Sequence, residues 1–178
     1  LIPPYTVGLI TRDTLLLEFS SSIMCLILAG KIGSNIASEI GTMRVTEQID
    51  ALDIMGVNSA NYLILPKITA LVTFIPILVA FSMFTGLFGG YLVSIFTSII
   101  PTSCYVYGLQ SYFNEYYIWY SIIKSLFFGF VISSVASFYG YKVKGGALEV
   151  GQASTDSVVV SSVTILLLDV LLTKILLQ

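Results

Sequence analysis

Long apolar runs, three of the four broken by one or two isolated charges, set the pattern of this chain. The first runs from about Leu15 to Ala37 and carries Glu18 and Lys31. The second begins after Lys67 and meets no charge until Glu115. The third runs from about Tyr116 to Tyr141 around Lys124, and the fourth from about Ser157 to Leu177 around Asp169 and Lys174. A spanning helix needs roughly 20 mostly apolar residues. The second run holds one span and further membrane-embedded or interfacial structure, with kinks or breaks expected at Pro76 and Gly89-Gly90. The pattern predicts an all-α fold, a polytopic transmembrane helical bundle forming a single domain over residues 1–178.

The connection over about 38–66 has a different period. Val45, Ile49, Leu52 and Met55 fall on one face at helical spacing, with Arg44, Thr46, Glu47, Asp50 and Asp53 on the others. Thr42 or Thr46 is placed to cap the start, and Gly56 to stop the end. This predicts a short amphipathic helix with an acidic outer face. Ile54 interrupts that face as an apolar knob.

Small residues recur every fourth position in three spans: Ala29, Gly33, Ala37 and Gly41; Ser82, Gly86, Gly90 and Ser94; Ser125, Gly129, Ser133 and Ser137. Residues four apart share a helix face, and small side chains there let membrane helices approach closely. Packing within one bundle, an oligomer seam and the lining of a path all use this pattern.

Composition narrows the function. Of 178 residues, 56% are hydrophobic and 10% charged, against about a quarter charged in soluble domains. The net charge of −2, without any Lys/Arg run, gives no nucleic-acid footprint. The chain has no His, the commonest metal ligand and general base. No metal site is expected, and the two cysteines, Cys25 and Cys104 (the latter placed in an outer loop), suggest neither a metal nor a disulfide framework. Gly30-Lys31 imitates a P-loop, but the loop needs Gly where Cys25 stands and Ser or Thr where Ile32 stands. Any ATP that drives this protein binds to another chain. The opening Leu1-Ile2-Pro3-Pro4 lacks a starting Met and a basic leader, so a missing N-terminal portion is expected.

Arg44 and Lys67 lie in one connection and Lys142 and Lys144 in another, while the 101–115 connection has neither Lys nor Arg. The positive-inside rule puts the first two in the cytoplasm and the third outside. Tyr105, Tyr107, Tyr112, Tyr116, Tyr117, Trp119 and Tyr120 then read as an outer aromatic belt. Lys124 and Asp169 fall at equal depth on consecutive antiparallel spans and are expected to form an intramembrane ion pair. Lys174 lies close enough to the outer end to snorkel into water.

The run from Ala29-Gly30-Lys31-Ile32-Gly33-Ser34-Asn35 through Ser38-Glu39-Ile40-Gly41-Thr42-Met43-Arg44 to Glu47-Gln48-Ile49-Asp50-Ala51-Leu52 resembles the signature of the MlaE permease family. The likeness continues at Met55-Gly56-Val57, Leu65-Pro66, Gly89-Gly90, Gly145-Gly146, Ala153-Ser154-Thr155 and Leu168-Asp169. It departs at Leu17-Glu18-Phe19-Ser20-Ser21, where the family usually has Arg-Glu-Leu-Gly-Pro. The family also has an additional N-terminal portion, so the chain resembles roughly its C-terminal two thirds.

The resemblance implies the membrane subunit of an ABC-type lipid transporter in the bacterial inner membrane, or less expectedly a plastid inner envelope. Such permeases pair with a second copy of themselves. They sit between cytoplasmic ATPase subunits, which hold ATP and Mg, and a periplasmic MCE-domain protein, and they move phospholipid or related lipids. The resemblance makes the 38–66 segment a coupling helix, with Glu39, Arg44, Glu47, Gln48, Asp50, Asp53 and Ile54 as candidate ATPase contacts. Ala29, Gly33, Ala37, Gly41, Gly86, Gly90 and Gly129 are the candidate packing positions. Lipid-contacting residues are not identifiable in the sequence. A non-transporting scaffold and an intramembrane enzyme are the competing classes; for the latter only Glu18, Lys31, Lys124 and Asp169 are available, with no His.

Overall fold

A computed structural model describes residues 3–97 and 100–177. Four helices in it are long and apolar enough to cross a membrane: α1 (Tyr5–Val45), α3 (Ala60–Thr97), α5 (Tyr116–Tyr141) and α6 (Ala147–Leu177). Two short helices join them, α2 (Gln48–Ile54) and α4 (Thr102–Gln110). No strand occurs among the described residues.

Helix α1 begins right after Pro3-Pro4, ten residues ahead of the expected Leu15, and continues to Val45. Its middle is widened into π-type turns at Leu15–Ile23 and Ala29–Gly33. Such turns are rare and gather at functional sites. Helix α3 runs unbroken from Leu65 to Thr97, through Pro76 and Gly89-Gly90, so the helix does not break at either position. Proline removes one backbone bond, and a neighbouring helix in lipid makes that loss tolerable. Here Gly129 of α5 packs against the backbone at Leu71 and Val72, one turn before Pro76.

Helix α5 is the centre of the bundle. Its buried positions include Tyr120, Lys124, Phe128, Ile132 and Ala136 on one side and Ser121, Ser125, Gly129, Ser133 and Ser137 beside them. Helix α3 buries only a single stripe, Leu71, Ile75, Val79, Met83 and Ser94, and α6 another, Val150, Ser157, Ser161 and Ile165. Their other faces carry exposed Phe, Leu, Ile and Val, as helices facing lipid do.

Both ends of the bundle are tied by polar contacts. At one end Lys67 reaches Glu39 at 2.6 Å, and Ser59 meets the Tyr141 hydroxyl at 3.2 Å. At the other, the Tyr116 hydroxyl donates to the Leu176 carbonyl at 2.7 Å. Arg44, Lys67, Lys142 and Lys144 thus share one end, and the 101–115 segment lies at the opposite end.

That segment departs from expectation. Cys104 sits in helix α4, not in a loop. Tyr105 and Tyr120, read as parts of an aromatic belt, are buried, while Tyr107, Tyr112 and Trp119 are exposed. Helix α4 lies against the start of α1, where Gly8 and Gly108 bring the two backbones together. The fourth helix starts at Ala147, ten residues before the expected Ser157.

Candidate functional site: a membrane-buried charge cluster and a projecting helix

Two constellations carry the charged residues. The first lies inside the bundle. Lys124 of α5 is fully buried, and its ammonium stands 2.6 Å from Asp169 Oδ1 of α6. A third charge joins them: both carboxylate oxygens of Glu18, from the widened turns of α1, are 3.2 Å from Lys124 Nζ. Ser22, one turn along, donates to Asp169 Oδ1 at 2.6 Å or to Glu18 Oε2 at 3.0 Å. A serine has one proton, so the shorter bond to Asp169 is favoured.

On the other side of the lysine the chain of donors is ordered. Thr173 donates to the Asp169 carbonyl at 2.7 Å. Its proton committed, Thr173 accepts from the Tyr120 hydroxyl at 2.7 Å, which leaves the Tyr120 oxygen free to accept from Lys124 at 3.0 Å. The cluster therefore joins α1, α5 and α6 through six side chains. It holds two carboxylates against one ammonium. Glu18 is the more open of the two, with 42% of its side chain exposed against 17% for Asp169.

Glu18 was visible in the sequence as an intramembrane charge, but only as a group available to an intramembrane enzyme and not as a partner of Lys124. Its sequence separation from Lys124 and the extra length of α1 hid their equal depth. Arg12 was missed altogether. It is 2% exposed and donates to the carbonyls of Leu109 at 2.9 Å and Ser111 at 2.6 Å. It thereby covers the unbonded C-terminal carbonyls of α4 and tethers that helix to α1. Its charge is balanced by Asp13 at 2.8 Å. The signal available was an arginine at the head of an apolar run.

The second constellation is α2. The amphipathic helix does not start at Thr42 or Thr46. Helix α1 runs through Val45, Glu47 adopts the left-handed conformation at φ 60°, and α2 begins at Gln48. The Thr46 hydroxyl instead closes the end of α1 on the Thr42 carbonyl at 2.8 Å. The expected apolar face is correspondingly split. Ile49 is fully buried, Leu52 is half-buried, Val45 belongs to α1, and Met55 is 68% exposed. Of the candidate contact residues, Asp50 is drawn back to Arg44 at 2.6 Å, and Asp53 accepts from the Ser59 amide at 3.3 Å. Glu39 belongs to α1 and is held by Lys67. Glu47 and Gln48 are exposed and have no side-chain partner among the described residues, and Ile54 is 87% exposed.

The packing positions are distributed as follows. Ala29, Gly33, Ala37 and Gly41 are all buried within this one chain. Gly33 faces Ile132 of α5, and Gly41 faces Val143 and Val150. Gly86 meets Leu15, Gly90 meets the Tyr105 ring, and Gly129 meets the α3 backbone. Gly140, outside the expected stripes, also packs closely on α1: a Cβ there would stand 2.7 Å from the Ala37 carbonyl.

The comparisons fit this arrangement. The family model described as Permease MlaE matches residues 2–175. A "Probable ABC transporter permease protein" of Rickettsia bellii is 38% identical over 157 residues, covering 88% of this chain and 61% of that protein. One from Synechocystis is 34% identical over 160 residues, 90% of this chain and 61% of that protein. One from the red alga Pyropia yezoensis is 35% identical over 164 residues, with the same coverage. The chain thus spans about three fifths of the length of these relatives. With a family match along nearly its whole length and these identities, the chain belongs to the MlaE permease family.

Proposed function

We propose that this chain is the core of a permease subunit that moves phospholipids or related lipids between a bacterial inner membrane and a periplasmic MCE protein, driven by a separate ATPase. The observation that carries the reading is α2. It projects at the end of the bundle that holds Arg44, Lys67, Lys142 and Lys144, and is anchored by Ile49. Its outer surface offers an unpartnered Glu47 and a bare Ile54. An exposed isoleucine flanked by acids, on a chain without a nucleotide-binding loop, suits a groove in a nucleotide-binding partner. The positive-inside rule makes that end cytoplasmic, where ATP is found.

In this reading the ATPase holds ATP and Mg, and a second copy of the permease completes the translocation unit. An MCE-domain protein on the periplasmic side exchanges lipid with it. Relatives from Synechocystis and a red alga show that the family extends beyond bacteria of one type. The inner-membrane placement here follows from the proposed partners.

The docking test uses the full-length permease co-expressed with its ATPase. Glu47→Lys together with Ile54→Asp sets charge and polarity against a complementary surface, at a cost on the order of several kcal/mol in an interface. The expected result is loss of ATPase co-purification with the permease still inserted and folded. A variant that retains the ATPase in full shows that α2 is not the docking element.

A further inference from the structure

Polar contacts from α2 converge on one residue of α5. Arg44 is paired with Asp50 at 2.6 Å and lies over the Tyr141 ring at 5.5 Å. The Tyr141 hydroxyl shares a hydrogen bond with the Ser59 hydroxyl at 3.2 Å, and the Ser59 amide donates to Asp53 at 3.3 Å. One route leaves α2 at Asp50 and the other at Asp53, and both end on Tyr141. That tyrosine is the last residue of α5, the helix at the centre of the bundle.

The first route depends on the bend between α1 and α2. Along a continuous helix, residues six apart stand about 9 Å apart on the axis and about 120° apart around it. Arg44 and Asp50 would then point to different faces, so their pair belongs to the break that the left-handed Glu47 makes. Both partners are partly exposed, and an exposed ion pair alone holds little. The Tyr141 ring gives the guanidinium a second hold. The second route is buried. Ser59 is 3% exposed, and among the described residues its hydroxyl has Tyr141 as its partner.

Apolar packing does not replace these contacts on the adjoining side. A cavity of about 550 Å³ separates the start of α3, at Ala60, Ile64 and Ile68, from the end of α5, at Ser137 and Phe138, and it opens beside Lys142. Close-packed groups pass displacement to one another, and groups across a void do not. Arg44 and Tyr141 both stand at the wall of this void.

We propose that Tyr141 is a positioning residue that carries displacement of α2 to α5. Its ring follows Arg44, and with it Asp50; its hydroxyl follows Ser59, and with it Asp53. Helix α5 in turn holds Lys124, to which Glu18 of α1 and Asp169 of α6 are bound, so a shift of α5 reaches the other spans. This role rests on α2 being the ATPase contact, but not on lipid being what is moved.

The test is hydrogen exchange, read by mass spectrometry, on the full-length permease assembled with its ATPase. Exchange is compared without nucleotide and with ATP held by a hydrolysis-dead ATPase. In the unsubstituted complex ATP is expected to change exchange both in α2 and over residues 134–145. In Tyr141→Leu the α2 response should stay, while the response at 134–145 should fall roughly threefold or more. Tyr141→Phe, which keeps the ring, and Ser59→Ala should each lose part of it. ATPase co-purification and thermal unfolding of each variant report docking and fold. A full response at 134–145 in Tyr141→Leu overturns the role; where Tyr141→Leu does not assemble, a full response in the Ser59→Ala/Tyr141→Phe double variant does so. Equal loss of both responses identifies a merely structural tyrosine and overturns it as well. In the unsubstituted complex, a response in α2 with none at 134–145 overturns the role and leaves the docking reading intact, whereas no response in α2 overturns both.

Discussion

Lys124 has more than one anion within reach, and that changes what each substitution does. Lys124→Ala strands both Glu18 and Asp169 in the bundle. Removing one member of a buried pair costs roughly 3–5 kcal/mol. Asp169→Ala leaves Lys124 with Glu18 at 3.2 Å and the Tyr120 hydroxyl at 3.0 Å. The expected order of destabilisation is therefore Lys124→Ala first, Asp169→Ala second and Glu18→Gln least, because Glu18 is the most open of the three. Thermal unfolding of the purified full-length permease reads this order. Equal losses for Lys124→Ala and Asp169→Ala would show that Glu18 contributes no compensation. The Lys124–Asp169 contact was legible in the sequence, since isolated intramembrane charges seek partners and counting gave both the same depth. Glu18 was not. Depth counted from Leu15 fails when the helix starts at Tyr5 and passes through widened turns.

At the scale of helices, contact between backbones decides which glycines are required. Gly8 and Gly108 lie at the α1–α4 crossing, and Gly140 at the α1–α5 crossing, each facing a backbone carbonyl of the other helix. A backbone cannot step aside as a side-chain end can, so Gly8→Ala, Gly108→Ala and Gly140→Ala should each destabilise by about 1–3 kcal/mol. Gly33→Ala meets only the Ile132 methyl at 3.6 Å, an ordinary contact, and Gly30→Ala and Gly89→Ala meet nothing within 4 Å. Those three should be neutral or slightly stabilising, because alanine favours the helix. Thermal unfolding of the six single variants separates the groups, and a uniform response would refute the packing. Every fourth-residue spacing identified small faces but not the partners that lie opposite them. Gly8, Gly108 and Gly140 stood outside any such stripe. Helix α2 was misread at its start for a related reason. Periodicity carried the pattern back to Val45, whereas the left-handed turn at Glu47, a conformation unusual for a non-glycine residue, ends α1 there.

For the whole molecule, the apolar runs announced four spans and their alternation, because lipid leaves a chain few alternatives to helices. Which faces meet lipid and which meet one another is a tertiary property, and it emerged only with α5 at the centre and single stripes on α3 and α6. The ends are chemically unlike. One holds Arg44, Lys67, Lys142 and Lys144, carries α2 and opens into the cavity beside Lys142; the other holds Arg12, the exposed tyrosines and α4. That polarity, with the family membership, underlies the proposal of an ATP-driven lipid permease. Its most direct test is lipid movement in vesicles containing the full-length permease and its ATPase, loaded with labelled phospholipid and supplied with an acceptor MCE protein. The account predicts transfer that requires ATP, stops with a hydrolysis-dead ATPase, and falls with Glu47→Lys and Ile54→Asp in the permease. Transfer that proceeds at the same rate without ATP, or an assembled complex that hydrolyses ATP and moves no phospholipid, would contradict it.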